Sequence, residues 1–197
     1  MAIKVVLFDL GGVIIRLGDT IFPPHWLASN TGFSLREWLG SPTSKAFETG
    51  AISAQEFAQT LKLDLSLQQD VDEIIRHFTA WPEALFSGSI ELLSSLKQRY
   101  TLAALSNINE LHVPRMLEEF HLHRFFDQLY FSNELGLAKP DPKIYLKAIE
   151  LLGVNAQEIV FFDDVENNVN AALEVGLNAH QVFGPELVLS YLNNYSN

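Results

Sequence analysis

Ile3-Lys4-Val5-Val6-Leu7-Phe8-Asp9-Leu10-Gly11-Gly12 is the stretch on which the fold turns. A near-continuous apolar, β-branched run of this kind reads as a strand covered on both faces, as parallel sheets require, and it delivers a carboxylate into a glycine turn. Residues 101–105, 129–131, 158–162 and 179–183 read as further strands, each following a helical stretch. Leu92, Leu93 and Leu96 keep helical spacing ahead of the second strand. Gly153 stops a helix over 143–152, and Gly176 stops one running from about 165 to 175. Alternation of strand and helix gives an α/β fold, a doubly wound parallel sheet.

Between Ile15 and about Phe86 strand signals vanish and short helices crowd together, so residues 16–86 read as a small inserted helical cap and residues 1–15 and 87–197 as the core. Ser41-Pro42 offers an N-cap and first-turn proline for a helix ending at Gly50. Ser53-Ala54-Gln55-Glu56 is a capping box opening the next, and Ser66 to Gln69 repeats the pattern. Phe22, Trp26, Phe33, Trp38, Phe47, Phe57, Phe78, Trp81 and Phe86 read as the glue of this bundle, with a few available to line a pocket.

The 197 residues are 48% hydrophobic, enough for a substantial core. No cysteine is present, which excludes disulfides, thiolate metal sites and a cysteine nucleophile and favours a cytoplasmic setting. Asp9 and two glycines interrupt the first apolar run before a signal-peptide core forms, and no stretch approaches a membrane span. A formal charge of -11 repels phosphate backbones and anionic lipid, so neither nucleic acid nor membrane is an expected partner. A monomer is the default.

Ligand crevices of open parallel sheets lie beyond the carboxyl ends of the strands. Three strands end in polar groups there: Asp9, Ser106-Asn107 and Asp163-Asp164. Lys139, in the turn Lys139-Pro140-Asp141-Pro142, is placed to reach them. Taken singly, each of these Asp, Ser and Asn residues also reads as a helix N-cap. Adjacent carboxylates behind an apolar strand repel one another and are comfortable mainly near a cation.

In this order and spacing, these residues resemble the haloacid dehalogenase superfamily over nearly the whole chain, with the insert where that family carries a helical cap. Ser132-Asn133-Glu134-Leu135-Gly136-Leu137 before Lys139, Lys143-Ile144-Tyr145, and Asp163-Asp164 followed by Asn167-Asn168-Val169 are most similar to its sugar-phosphate phosphatases. The resemblance implies that Asp9 is a nucleophile forming an aspartyl-phosphate. It implies Mg²⁺ held by Asp9, the Gly11 carbonyl and Asp164, with Asp163 supporting from behind. It also implies that Ser106, Lys139 and the backbone amides near Leu10, Gly11 and Asn107 hold the transferring oxygens of a small phosphorylated substrate.

Gly11 departs from that pattern, because most phosphatases of the family carry there an Asp that protonates the leaving oxygen and later activates water. Three outcomes stay open: a slow phosphatase, a metal-independent 2-haloacid dehalogenase using Asp9, or a non-catalytic phosphate-binding regulatory protein. Glu48-Thr49-Gly50 and Arg16 are candidates for substrate choice, set against readings as a helix C-cap and a solvated arginine. His121 and His123 read as surface residues, so zinc is not expected. Asn107 and Asn168 read as groups that orient their neighbours.

Overall fold

The computed structural model describes residues 2–27 and 35–195; Phe33 lies outside them. Strand β1 (Val5–Phe8) leads into β2 (Ile15–Leu17), then α1 (Leu35–Trp38), α2 (Pro42–Glu48), α3 (Ala54–Asp64), α4 (Val71–Thr79) and β3 (Pro82–Leu85). The remainder alternates: α5 (Ser89–Leu96), β4 (Thr101–Ser106), β5 (Gln128–Phe131), α6 (Ser132–Leu135), α7 (Pro142–Leu152), β6 (Ile159–Asp163), α8 (Glu166–Glu174), β7 (Asn178–Gln181) and α9 (Val188–Asn193).

The main sheet has the order β5-β4-β1-β6-β7, with every pairing parallel. Each residue of β1 is buried because both faces are covered, and the period-two alternation assigns its side chains to two separate cores. Val6 and Phe8 join Leu102, Ala104, Val160 and Phe162 beneath α5 and α9. Val5 and Leu7 join Ala103, Leu105, Ile159 and Phe161 beneath α7 and α8. The strand order reverses between β1 and β6, whose tips carry Asp9 and Asp163, at the switch point where such sheets bind ligands.

A third apolar cluster belongs to the insert: Phe22, Trp26, Trp38, Phe47, Phe57 and Phe78, with Trp81 packed against it. Phe47 stacks on Phe57 at 4.2 Å between ring centroids. Phe86 is not part of that cluster; it meets Phe183 edge-on. Phe183 is itself 73% exposed and lies beyond β7, which ends at Gln181. The insert is not free of strands, for β2 and β3 form a two-stranded antiparallel ribbon across which the chain enters and leaves it.

Ser53 and Glu56 complete the capping box that opens α3. Ser66 caps nothing: it adopts φ 54° just after α3 ends, and Asp70 instead opens α4 by accepting from the Glu73 N–H. Asp70 to Glu73 carries the spacing that Ser66 to Gln69 only imitated.

Candidate active site

Asp9 extends β1, its N–H donating to the Phe162 carbonyl at 2.8 Å, so the nucleophile candidate is aligned by the sheet itself. Three donors converge on one of its oxygens. Oδ1 accepts from the Leu10 N–H at 2.7 Å and the Ser106 hydroxyl at 2.8 Å, and pairs with the Lys139 ammonium at 2.9 Å. The Leu10 amide, expected on a phosphate oxygen, is therefore spent on Asp9. Burial pushes the Asp9 carboxyl above the usual carboxylate range, Lys139 opposing and the Asp163 charge adding to it.

Lys139 also pairs with Asp163 Oδ2 at 2.6 Å, and its side chain is 1% exposed. Burial alone would lower its pKa, but the charges of Asp9 and Asp163 reverse that and hold the ammonium. Asn107 fixes the Lys139 segment by bonding its backbone twice: Oδ1 accepts from the Lys139 N–H at 2.8 Å and Nδ2 donates to the Lys139 carbonyl at 2.9 Å. The Asn107 side chain is thus committed to orienting the lysine.

The adjacent carboxylates Asp163 and Asp164 are treated differently. Asp163, fully buried, accepts from Lys139, from the Val165 N–H at 2.8 Å and from Asn168 Nδ2 at 3.0 and 3.1 Å. Asp164 is half-buried and presses on Gly12, where an added Cβ would lie 2.3 Å from Asp164 Oδ2; Gly12 also sits at φ +75°. Only glycine permits that approach. Burial, with Asp163 beside it, raises the Asp164 pKa.

Asp9, Asp163 and Asp164 each offer an oxygen within 4.8 Å of the others. Oxygen donors in this number suit a hard divalent cation such as Mg²⁺. With Asp163 saturated by nitrogen donors, Asp9 and Asp164 are the carboxylates left to hold the ion. The Gly11 carbonyl is a fitting third donor, since the backbone bonds of its loop go to Leu10, Gly12 and Ile15 instead.

These groups line a cavity of about 270 Å³ that also takes in Leu17, Trp81 and Met116 as apolar wall. Two polar members come from sequence positions that the motifs did not assign to chemistry. Glu48, the last residue of α2, lies 3.4 Å through Oε2 from Asn107 Nδ2. Burial raises its pKa to about 7, with Lys139 and Lys45 opposing and Asp9 reinforcing. His112 is buried, its Nε2 2.8 Å from the Phe78 carbonyl and its Nδ1 3.2 Å from Asn109 Nδ2, and burial lowers its pKa to about 4. No local signal marks His112, because its partner at Phe78 is 34 residues away.

Arg16 is absent from the cavity wall; it pairs across the ribbon with Glu83 at 2.8 Å, both side chains well exposed. His121 and His123 are exposed, and the acidic cluster does not include them. No helix among the described residues is long and apolar enough to cross a membrane.

Residues 3–176 match the family model for haloacid dehalogenase-like hydrolases. The chain is 31% identical to Phosphatase MT3486 of Mycobacterium tuberculosis, covering 92% of this chain and 88% of that protein. It is 32% identical to the Phosphorylated carbohydrates phosphatase of Thermotoga maritima, covering 88% and 82%. Among solved structures, it superimposes with a TM-score of 0.77 on the haloacid dehalogenase family enzyme bt-2542 of Bacteroides thetaiotaomicron in complex with magnesium and inorganic phosphate. That match has 25% identity and covers 91% and 93% of the two chains. The sheet order, the strand tips and these similarities agree: the chain belongs to the haloacid dehalogenase-like hydrolase family.

Proposed function

We propose that the protein is a Mg²⁺-dependent phosphatase that hydrolyses a small phosphorylated metabolite, a sugar phosphate in particular, through an aspartyl-phosphate on Asp9. One observation carries the reading. The three donors that fix Asp9 converge on Oδ1, which leaves Oδ2 open, beside a second carboxylate, Asp164, that forms no ion pair among the described residues. A metal-independent dehalogenase would gain nothing from an unneutralised Asp164 forced against a glycine. The relatives named for phosphatase activity support the same choice.

Asp9, the Gly11 carbonyl and Asp164 would hold Mg²⁺, which would supply positive charge to the phosphate oxygens. A carboxylate oxygen of Asp9 attacks phosphorus; the ester oxygen departs; water then cleaves the acyl phosphate. Lys139 and the N–H groups of Gly11 and Asn107 hold the three transferring oxygens, whose charge grows at the transition state, and Ser106 joins them by turning its hydroxyl away from Asp9. Asp163 takes no part in the transfer and keeps Lys139 charged and in place. A cavity of about 270 Å³ is of a size to take a small ester.

Phosphorylated metabolites should be hydrolysed with Mg²⁺ and not after chelation, and labelled phosphate in acid-quenched protein should map to Asp9. Hydrolysis that survives chelation, or halide release from 2-chloropropionate in place of phosphate release, overturns the reading.

A further inference from the structure

Gly11 leaves the sheet side of the site with no group to protonate a leaving alkoxide, and the backbone does not demand glycine there. A Cβ at 11 would meet only Leu17, at 3.5 Å, an ordinary contact, and Gly11 is not in the left-handed region that Gly12 occupies. The missing carboxylate is a chemical choice, so the proton has to come from elsewhere in the cavity.

Among the described residues, the titratable groups on its wall are Asp9, Glu48, His112, Lys139 and Asp164. Asp9 and Asp164 belong to the nucleophile and the cation. Lys139 is spread over two carboxylates. Both ring nitrogens of His112 are engaged, one with a backbone carbonyl and one with an amide. Glu48 remains, with one long contact, to Asn107, on one oxygen. Its place is fixed by its backbone: the Glu48 carbonyl accepts from the fully buried Ser132 hydroxyl at 2.6 Å. Two residues on, Gly50 lies so close to the Asn133 carbonyl that a Cβ would sit 2.6 Å from it.

We propose that Glu48, carried into the cavity by the insert, is the acid that protonates the leaving oxygen and then the base that activates water, replacing the carboxylate absent at position 11. The assignment rests on the phosphatase reading above and deepens it. In-line displacement puts the leaving oxygen across phosphorus from Asp9. Asp9 comes from the sheet and Glu48 from the insert. In the first half-reaction the Asp9–P bond forms and the P–O ester bond breaks as the Glu48 proton passes to the departing oxygen, releasing an alcohol. In the second, water attacks phosphorus, Glu48 takes its proton, and the Asp9–P bond breaks to give phosphate. Charged groups facing Glu48 are Lys139 and Asp9 across the cavity and Lys45 one turn back on α2. Together with burial they leave it near neutrality, where a group serves equally as donor and acceptor.

The test compares Glu48→Gln with the unaltered protein on glycerol 2-phosphate, which leaves as an alkoxide, and p-nitrophenyl phosphate, which needs no proton. Glutamine keeps the acceptor for Asn107, so the fold is preserved. kcat/KM reports only the steps up to alcohol release. It should fall roughly a hundredfold or more for glycerol 2-phosphate and less than about threefold for p-nitrophenyl phosphate. For glycerol 2-phosphate the unaltered protein should lose kcat/KM as pH rises through about 7, and the variant should lack that limb. Equal losses on the two esters, or an unchanged alkaline limb, overturn the role of Glu48 while leaving the phosphatase reading intact. Hydrolysis of p-nitrophenyl phosphate alone by the unaltered protein overturns it as well, and hydrolysis of neither overturns both.

Discussion

On the sheet side of the cavity Asp163 has no exposed surface and accepts from an ammonium, a backbone N–H and an amide, whereas on the insert side Glu48 is half-buried with a single long contact. Asp163 has both oxygens filled by donors and serves as scaffold. Glu48 is under-bonded and desolvated, so its proton is mobile. Saturation separates the carboxylates that hold position from those available for chemistry, and Asp9 combines both states in its two oxygens.

The largest effect expected breaks the sheet side. Asp9→Asn should lower turnover by about 10⁴-fold or more while far-UV circular dichroism is unchanged, and a variant that retains turnover would remove Asp9 as nucleophile. Lys139→Met should then cost about 3–5 kcal/mol in urea unfolding at neutral pH, because it strands Asp9 and Asp163 together in the interior. A loss below about 1 kcal/mol would mean the lysine is not needed to hold them. Gly11→Asp puts a carboxylate on the sheet side and should raise turnover of glycerol 2-phosphate about tenfold in the Glu48→Gln background, with little effect where Glu48 is present. Unchanged or lower turnover in a folded double variant would show that a carboxylate at 11 cannot stand in for Glu48.

The smallest effect sharpens the insert side. The Glu48 pKa is raised from 4.5 to about 7, so the native state binds that proton more tightly than the unfolded chain. The associated stability is complete below pH 4.5 and lost as pH rises through about 7. Glu48→Gln cannot ionise, and its Tm advantage over the unaltered protein should therefore grow between those limits and level off above them. A flat difference would show that Glu48 is not desolvated.

Strands β1, β4 and β6 were legible because a strand covered on both faces must be apolar throughout, and the polar residue that ends each run falls at the crevice. Strands β2 and β3 were not, since a ribbon of three and four residues, one of them Pro82, carries no periodicity and its partners lie some 65 positions apart. The groups meeting at Asp9 could be read from their motifs, and Asn107 was read as an orienting group, but its partner on the Lys139 backbone could not be read, because an amide just past a strand looks the same whether it faces ligand or protein. Glu48 was visible at a helix end and as a candidate for substrate choice, not as a proton donor. What brings it into the cavity is a backbone contact with Ser132, a residue 84 positions away.

Ser132 carries one hydroxyl proton and has two carbonyls within reach, Glu48 at 2.6 Å and Ile108 at 3.0 Å. Rotation about a single Cβ–Oγ bond moves that proton between an acceptor on the insert and one on the core. Losing the bond to Glu48 would therefore not strand this buried hydroxyl, which keeps Ile108 as its acceptor.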